Sequence, residues 1–358
     1  MKRKLSLFLI LALLLTLTGC PPSDKNDPPQ SDGYLKVHYI DVGQADCALI
    51  ECNGEYILID GGNVADSQLV VSYLQDQGVE ELLAVVCTHA HEDHVGGLPG
   101  VLAVYRTYHV YAPTKTYSSK CFDDFVHYTD QQDLEITIPE PGDYLLFGGA
   151  TMTVLGPVKS YADPNDTSIV VMVEYGTTRF LFTGDMETGA ENDMLDYWGE
   201  GFDWSADVLK VGHHGSDTST SYRFLNEVMP EIGIISVGEG NSYGHPCEVP
   251  LSRLSQAGVT VYRTDELGHI VITSDGTNVT AQWENSSGTP NAGKPGEPQQ
   301  TKPQQTQPQG QTYIGNKNSK KLHLPTCSSL PKEENRVYFD DYDAAIGDGY
   351  EPCSKCLG

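Results

Sequence analysis

The sequence predicts an α/β fold, with one large domain followed by a small appendage. Short apolar runs of strand length, such as residues 82–87, alternate with amphipathic stretches of helical length, such as 67–77. The first runs follow one another closely, as adjacent antiparallel strands do, and are then joined by a strand, helix, strand step that calls for a parallel pair. At 358 residues the chain is long enough for one large domain plus a small module.

The run at 82–87 leads into Thr88-His89-Ala90-His91-Glu92-Asp93-His94-Val95-Gly96-Gly97. A run this apolar reads as a buried strand, so the polar cluster lies at its C-terminal edge, where open α/β sheets keep their sites. A lone histidine would read as a packed or solvated side chain. Three imidazoles and a carboxylate so closely spaced can instead hold more than one metal ion. His89 and His91 point to the same side of an extended segment, and Asp93 and His94, in the turn beyond, reach a second ion. Imidazole with carboxylate suits zinc, manganese or iron. The stretch resembles the first metal motif of the metallo-β-lactamase fold superfamily. Further motifs across residues 34–284 are similar to its ComEC branch, which holds the soluble hydrolase domain of that competence protein and related secreted DNases. The resemblance implies an αββα sandwich with two divalent ions, zinc or manganese.

At the N-terminus, Lys2, Arg3 and Lys4 precede an apolar run over 5–17, which reads as an export signal, too short and wrongly flanked for a membrane span. Its ending, Leu17-Thr18-Gly19-Cys20, resembles a bacterial lipobox. That implies removal of residues 1–19, lipidation of Cys20 and attachment to the extracytoplasmic face of the cell membrane. A plain secretory signal with an incidental cysteine is the alternative. Residues 20–33, polar and proline-bearing, read as a tether.

Strands are expected at 35–40, 47–51, 56–60 and 82–87, with a helix at 67–77. The loop Asp41-Val42-Gly43-Gln44-Ala45-Asp46 and the turn Asp60-Gly61-Gly62 resemble loops of the ComEC branch, which usually has glycine where this chain has Ala45. Asp41, Gln44 and Asp60 then orient metal ligands from behind. The plain alternative is that these aspartates cap tight turns. A helix follows at 98–105 and a short strand at 109–111. Residues 114–132, polar and aromatic, are either a substrate-facing segment or a packed amphipathic helix.

A second half begins with strands at 151–155, 169–175 and 179–183, the last two joined by a turn at Gly176-Thr177-Thr178. The hairpin ends in Gly184-Asp185, again a carboxylate beyond an apolar strand. The resemblance makes Asp185 the ligand that bridges two metals; a helix cap is the alternative. A helix at 187–197 and a strand at 206–211 lead to Gly212-His213-His214-Gly215-Ser216, and a strand at 232–237 leads to Asn241-Ser242-Tyr243-Gly244-His245-Pro246. The order of elements here resembles RNase Z. His245 and the pair His213-His214 compete for the last metal-ligand place; the resemblance favours His245 as ligand and His213 or His214 as phosphate contact or general acid, and ligand chemistry makes Asp93 the catalytic carboxylate. Many superfamily members place a further histidine before the bridging aspartate. This chain has Asn165-Asp166-Thr167-Ser168, the ComEC-branch pattern, so Asn165 and Ser168 take supporting places and Asp166 is a candidate to fill the missing ligand position. Lys210 reads as a solvated strand-end lysine or as added positive charge at the site.

Residues 285–311 shift abruptly to Pro, Gln, Gly and Thr and read as an unfolded spacer. Beyond it, over residues 312–358, His323, Cys327, Cys353 and Cys356 suit a closed tetrahedral zinc site that staples a module too small for a large core. This segment resembles the Ada-like zinc-binding modules appended to some bacterial nucleases. A disulfide from Cys327 to Cys353 or Cys356 is the alternative. Cys47, Cys52, Cys87, Cys121 and Cys247 read as packed thiols.

The formal charge of −27 argues against a broad basic surface for nucleic acid. The expectation is an exported, lipid-anchored, metal-dependent hydrolase of phosphodiesters, with DNA as substrate and no deducible protein partner. The alternatives are a metallohydrolase of another ester, such as cell-wall phosphocholine, a nucleotide or a lactone, and a non-catalytic competence accessory.

Overall fold

The computed structural model describes residues 33–285, 288 and 290, and beyond them 313–323, 325, 327, 329–339, 345 and 350–353. The leader at 1–19, Cys20, most of the tether and linker, and Cys356 lie outside the described residues.

The chain divides into two compact units. In the first, the sequence lays down β1 (Leu35–Tyr39), β2 (Ala48–Cys52), β3 (Glu55–Ile59), α1 (Ser67–Asp76), β4 (Glu81–Val86), α2 (Glu92–Val95), α3 (Leu98–Val104), β5 (Arg106–Tyr111), α4 (Lys120–Asp130) and β6 (Ile136–Thr137). The second half supplies β7 (Tyr144–Phe147), β8 (Ala150–Gly156), β9 (Val170–Tyr175), β10 (Thr178–Phe182), α5 (Thr188–Trp198), β11 (Val208–Lys210), α6 (Tyr222–Val228), β12 (Ile232–Ile235), α7 (Glu248–Gln256), β13 (Thr260–Arg263), α8 (Thr264–Leu267), β14 (Ile270–Ser274) and β15 (Val279–Trp283).

Two sheets form, ordered β15-β14-β1-β2-β3-β4-β5-β6 and β13-β12-β11-β10-β9-β8-β7. Each is half antiparallel and half parallel: β3 to β6 run parallel in the first, and β10 to β13 in the second. The strands bury apolar residues on both faces. Ile57 and Ile59 point into the layer between the sheets, whereas Leu58 points out under the helices. Phe180 and Phe182 likewise face inward and Leu181 outward. Three apolar layers result: one between the sheets, one under α1, α3 and α4, and one under α5, α6 and α7. Helices cover the outer face of each sheet, an αββα sandwich, because strands apolar on both sides must be covered on both sides.

Two outcomes differ from a local reading. β14 and β15 return from the end of the domain to complete the first sheet, with Leu35 opposite Ser274. α4 buries Cys121, Phe122 and Phe125 in the outer layer, so the 114–132 segment holds the packed helix and not a free substrate-facing one. Cys47 and Cys52 face opposite layers, and the five cysteines of this unit are free thiols.

The second unit is a four-stranded sheet of β16 (Tyr313–Asn316), β17 (Lys321–His323), β18 (Arg336–Phe339) and β19 (Glu351–Pro352), ordered β18-β16-β17-β19. Among the described residues, Leu322, Ala345 and Tyr350 are buried together, with Tyr313, Val337 and Phe339 packed against them. No helix of the described residues is long and apolar enough to cross a membrane.

Phe182 and Tyr39 meet between the sheets with ring centroids 5.9 Å apart. Phe182→Ala is expected to cost about 3–5 kcal/mol in denaturant unfolding, as fully buried Phe truncations do. A loss below about 1 kcal/mol would mean the inter-sheet layer is not the core that holds the sandwich together.

Candidate metal centre

The candidate site lies where parallel strands of both sheets end. β3 runs into Asp60, β4 into Thr88 and the histidine run, β10 into Asp185, and β11 into His213 and His214. The carboxyl edges of parallel strands are where α/β proteins receive ligands. Backbone bonds strap these loops together: Asp46 N to Asp93 O (3.0 Å), Gly61 N to His94 O (2.7 Å), Ile169 N to Thr88 O (2.8 Å) and His213 N to Gly184 O (3.2 Å). Gly184 sits at φ 52°, and a Cβ there would meet Ser168 Oγ at 2.8 Å, so this crossing admits only glycine. His213 and His214 both take left-handed backbone, φ 50° and 52°, a strained arrangement of the kind found at functional sites.

At the centre is the Asp185 carboxylate. Its Oδ2 lies 3.3 Å from His94 Nε2, 3.7 Å from His213 Nε2, 3.7 Å from His214 Nε2 and 3.9 Å from His89 Nε2. Asp93 Oδ2 stands 3.4 Å from His214 Nε2 and 4.0 Å from His94 Nε2. Asp93, His94, Asp185 and His214 thus offer donor atoms all within 4.8 Å of one another, enough to surround one ion. His89 Nε2 and His91 Nδ1, 3.1 Å apart, form a second donor group around the same shared carboxylate.

The geometry tests whether cations fit. His94 Nε2, His214 Nε2 and Asp185 Oδ1 are buried and have no hydrogen-bond partner. A buried polar atom left unpaired costs about 1–3 kcal/mol, so several converging on one point are accounted for by an ion that all of them ligate. The donors are nitrogen and carboxylate oxygen, which suit zinc or manganese.

A supporting ring holds these donors in place. Asp60 Oδ2 lies 2.8 Å from His94 Nδ1 and accepts from Thr88 Oγ1 at 2.7 Å, which turns Nε2 toward Asp185. His214 Nδ1 donates to Ser236 O at 2.9 Å, just beyond β12, and Asp46 Oδ1 lies 3.2 Å away. Asp46 in turn pairs with Lys210 Nζ at 2.8 Å. Ser168 Oγ accepts from the Asp185 amide at 3.0 Å and lies 3.5 Å from His89 Nδ1, standing where many superfamily members were expected to have histidine.

Charge follows from this crowding. Burial opposes a proton on His94 and His214, yet Asp185, aided by Asp60 at His94 and by Asp46 at His214, outweighs it. Both imidazoles are held protonated above their ordinary range, His214 up to about 10. Burial and the neighbouring His94 push His89 well below its usual value. Asp93, despite its own burial, is held down at about 2 by His94 and His214. In the absence of a cation, protons therefore supply the positive charge that the carboxylates require.

Several expected residues take other places. The sequence left His245 and the pair His213-His214 in competition for the last ligand place and favoured His245. His214 instead meets Asp93, His94 and Asp185, because its Nδ1 bond to Ser236 aims it inward, and His245 lies in the long loop beyond β12, its ring 5.6 Å from that of His213. Asp166 accepts from the Glu187 amide ahead of α5 at 3.1 Å and does not fill the missing ligand position. Asp41 Oδ1 accepts from Gly43 N at 3.1 Å, which makes it a turn cap. Lys210 is buried and paired, not solvated. Gln44 Oε1 accepts from Gly238 N at 3.2 Å and Asn165 Nδ2 lies 3.4 Å from Glu187 Oε1; both side chains line the cleft. The supporting role of Asp46 was missed. Its one sequence signal was a carboxylate directly ahead of an apolar strand.

The cleft over the centre measures about 370 Å³ and is bounded by His91, Glu92, Asp93, Asp185, His213, His214, Tyr243 and His245 with Gln44 and Asn165. In the second unit, His323, Cys327 and Cys353 are buried with donor atoms within 4.8 Å of one another. This donor set suits zinc.

Comparison with known proteins adds family context. The metallo-beta-lactamase superfamily profile matches residues 40–239, and the metal binding domain of Ada matches residues 299–357. ComE operon protein 3 of Bacillus subtilis is 28% identical over 254 residues, 66% of this chain and 32% of that protein. Competence protein ComA of Neisseria gonorrhoeae is 30% identical over 257 residues, 71% of this chain and 34% of that protein. Recombination protein 2 of Haemophilus influenzae is 31% identical over 243 residues, 66% of this chain and 28% of that protein. The chain therefore spans about a third of the length of the curated relatives it matches. A solved metallo-beta-lactamase fold protein, YhfI of Bacillus subtilis, aligns at 15% identity with a TM-score of 0.47, covering 68% of this chain and all of that one.

Two predictions follow from the donor shells. Asp60→Asn, which weakens the hold on His94, is expected to lower manganese or zinc affinity by about 10–100-fold in competition titrations. Because a cation must displace imidazole protons, apparent affinity should fall as pH falls, by roughly tenfold per unit for each proton displaced. A pH-independent affinity would show that no imidazole proton is exchanged.

Proposed function

We propose, because this chain belongs to the metallo-beta-lactamase superfamily of metal-dependent hydrolases, that its centre cleaves phosphodiesters and that the substrate is DNA. Asp185 carries this reading: one buried carboxylate oxygen within 3.9 Å of four imidazole nitrogens is a site for two cations sharing one ligand. The group around Asp93, His94 and His214 would hold one, and His89 with His91 the other. Two divalent ions so placed supply a nucleophilic water near neutral pH and offset the charge that builds on a phosphorus centre.

The chain's own residues account for the rest. Asp93 is ionised and its side chain is 32% exposed, so it can orient the incoming water from the cleft side. His213 is half-buried, with Nδ1 at 3.3 Å from Thr218 Oγ1 and 3.4 Å from Glu187 Oε1. Those contacts steady the ring, which faces the cleft where a leaving oxygen would depart. His245 and Asn165 stand in the cleft wall, where a non-bridging oxygen would lie.

Competence and recombination, the words in the relatives' names, concern DNA, and this supports DNA over a lactone or phosphocholine ester. The charge of −27 confines the substrate's grip to the centre itself. The leader-like 1–20 segment supports an exported protein anchored by lipid at Cys20, which intact-mass measurement of the mature N-terminus tests. The Ada-like module supports one structural zinc held by His323, Cys327, Cys353 and Cys356.

Purified protein loaded with manganese, magnesium or zinc is expected to cleave oligonucleotides. Asp185→Asn and Asp93→Ala should each lower the rate at least about a hundredfold, beyond the effect of losing a supporting residue. Hydrolysis of a lactone or phosphocholine ester with none of DNA would sink the reading, as would unchanged DNA cleavage in both variants.

A further inference from the structure

We infer that Tyr243 is a stacking platform for a nucleobase and that the centre therefore takes unpaired rather than duplex strands, an inference that rests on the phosphodiester reading. Tyr243 is 72% exposed at the rim of the cleft. An exposed tyrosine on a mobile loop would carry no meaning, but this one stands on a loop held from several sides. Asn241 Oδ1 accepts from the amides of Tyr243 and His245, each at 3.1 Å, and its Nδ2 donates to Gly238 O at 2.9 Å and His245 O at 2.6 Å. Gly238 N donates to Gln44 Oε1 at 3.2 Å, and Cys247 N to Gly215 O at 2.8 Å, which fixes both ends of the loop to the site. The Tyr243 ring stacks against the His245 ring, centroids 5.8 Å apart at an interplanar angle of 28°, so the cleft wall already carries a pair of stacked rings.

Electrostatics favours the same use. No lysine or arginine is among the described residues lining the cleft, and the chain carries a charge of −27. Beyond any bound cations and the histidines that face them, the described residues of the cleft thus offer no lysine or arginine to grip a phosphate backbone. Stacking is the non-ionic way to hold a strand and serves any base, because every base presents a π face. In a duplex those faces are already stacked on neighbouring bases. Only an unpaired nucleotide can lay its base on Tyr243, which selects single strands, overhangs and frayed ends. The same reasoning gives a shallow salt dependence, since few protein cations replace counterions.

The test is a two-by-two cycle on the metal-loaded full chain, with a single-stranded oligonucleotide and a copy of it carrying abasic sites around the scissile position. Tyr243→Ala is expected to raise KM for the normal strand about tenfold, within the range of one lost stacked base. Removing the bases should raise KM of the unaltered protein by a similar factor, and the two changes together should raise it no further. Tyr243→Phe should keep the low KM. Additive effects, or an unchanged KM in Tyr243→Ala, would overturn the stacking role while turnover of the normal strand leaves the hydrolase reading standing. Failure of the unaltered protein to cleave any strand would instead remove the phosphodiester reading and this inference with it.

Discussion

The structure of the site depends on one constraint: a buried carboxylate must be neutralised. Asp185 is 2% exposed and sits with Asp46 and Asp60, both buried as well. Removing such charges from water is costly unless partners surround them. Asp46 takes Lys210, Asp60 takes His94 Nδ1 and Thr88, and Asp185 is left facing imidazole nitrogens, with His94 Nε2, His214 Nε2 and its own Oδ1 lacking any hydrogen-bond partner. The local balance therefore calls for positive charge, and cations or protons compete to provide it.

The αββα architecture lets chain segments remote in sequence meet that demand. Residues near 46, 60, 90, 185 and 214 come from different strand ends, yet the parallel halves of the two sheets finish on the same side of the inter-sheet layer. The backbone straps between Asp46 and Asp93, Gly61 and His94, and Gly184 and His213 make the loops behave as one framework rather than as independent tips. A donor shell of this kind needs positions held to a fraction of an ångström, and packed strands with cross-linked loops provide them. The left-handed backbone at His213 and His214 is tolerated because the surrounding bonds determine it.

The acidity of the chain has a bearing on how a polyanion could be engaged. A surface rich in carboxylates disfavours non-specific adhesion to nucleic acid, so under the proposed function recognition would be concentrated in the cleft. The small C-terminal unit has a different economy. Among its described residues the buried core is small, and the converging His323, Cys327 and Cys353 would hold a zinc as the cross-link such a unit needs.

The amino-acid sequence alone determined the fold class, the strands from β1 to β5 and from β8 to β12, the helices α1, α3 and α5, and the two polar clusters at strand ends. Continuous apolar runs and the density of ligand-type residues are local properties and can be read directly. The His89 to His94 run and Asp185 needed no tertiary information to be singled out. The tertiary structure decided what depends on contacts between distant segments. It returned β14 and β15 to pair with β1 and brought α4 onto the outer layer. It turned His214 inward through Ser236 while leaving His245 in the cleft wall, and it buried Lys210 against Asp46. Two histidines at the ends of neighbouring strands are equivalent as letters. Which one ligates is set by the hydrogen bond that orients its ring, and that partner lies some twenty residues away in the chain and adjacent only in space.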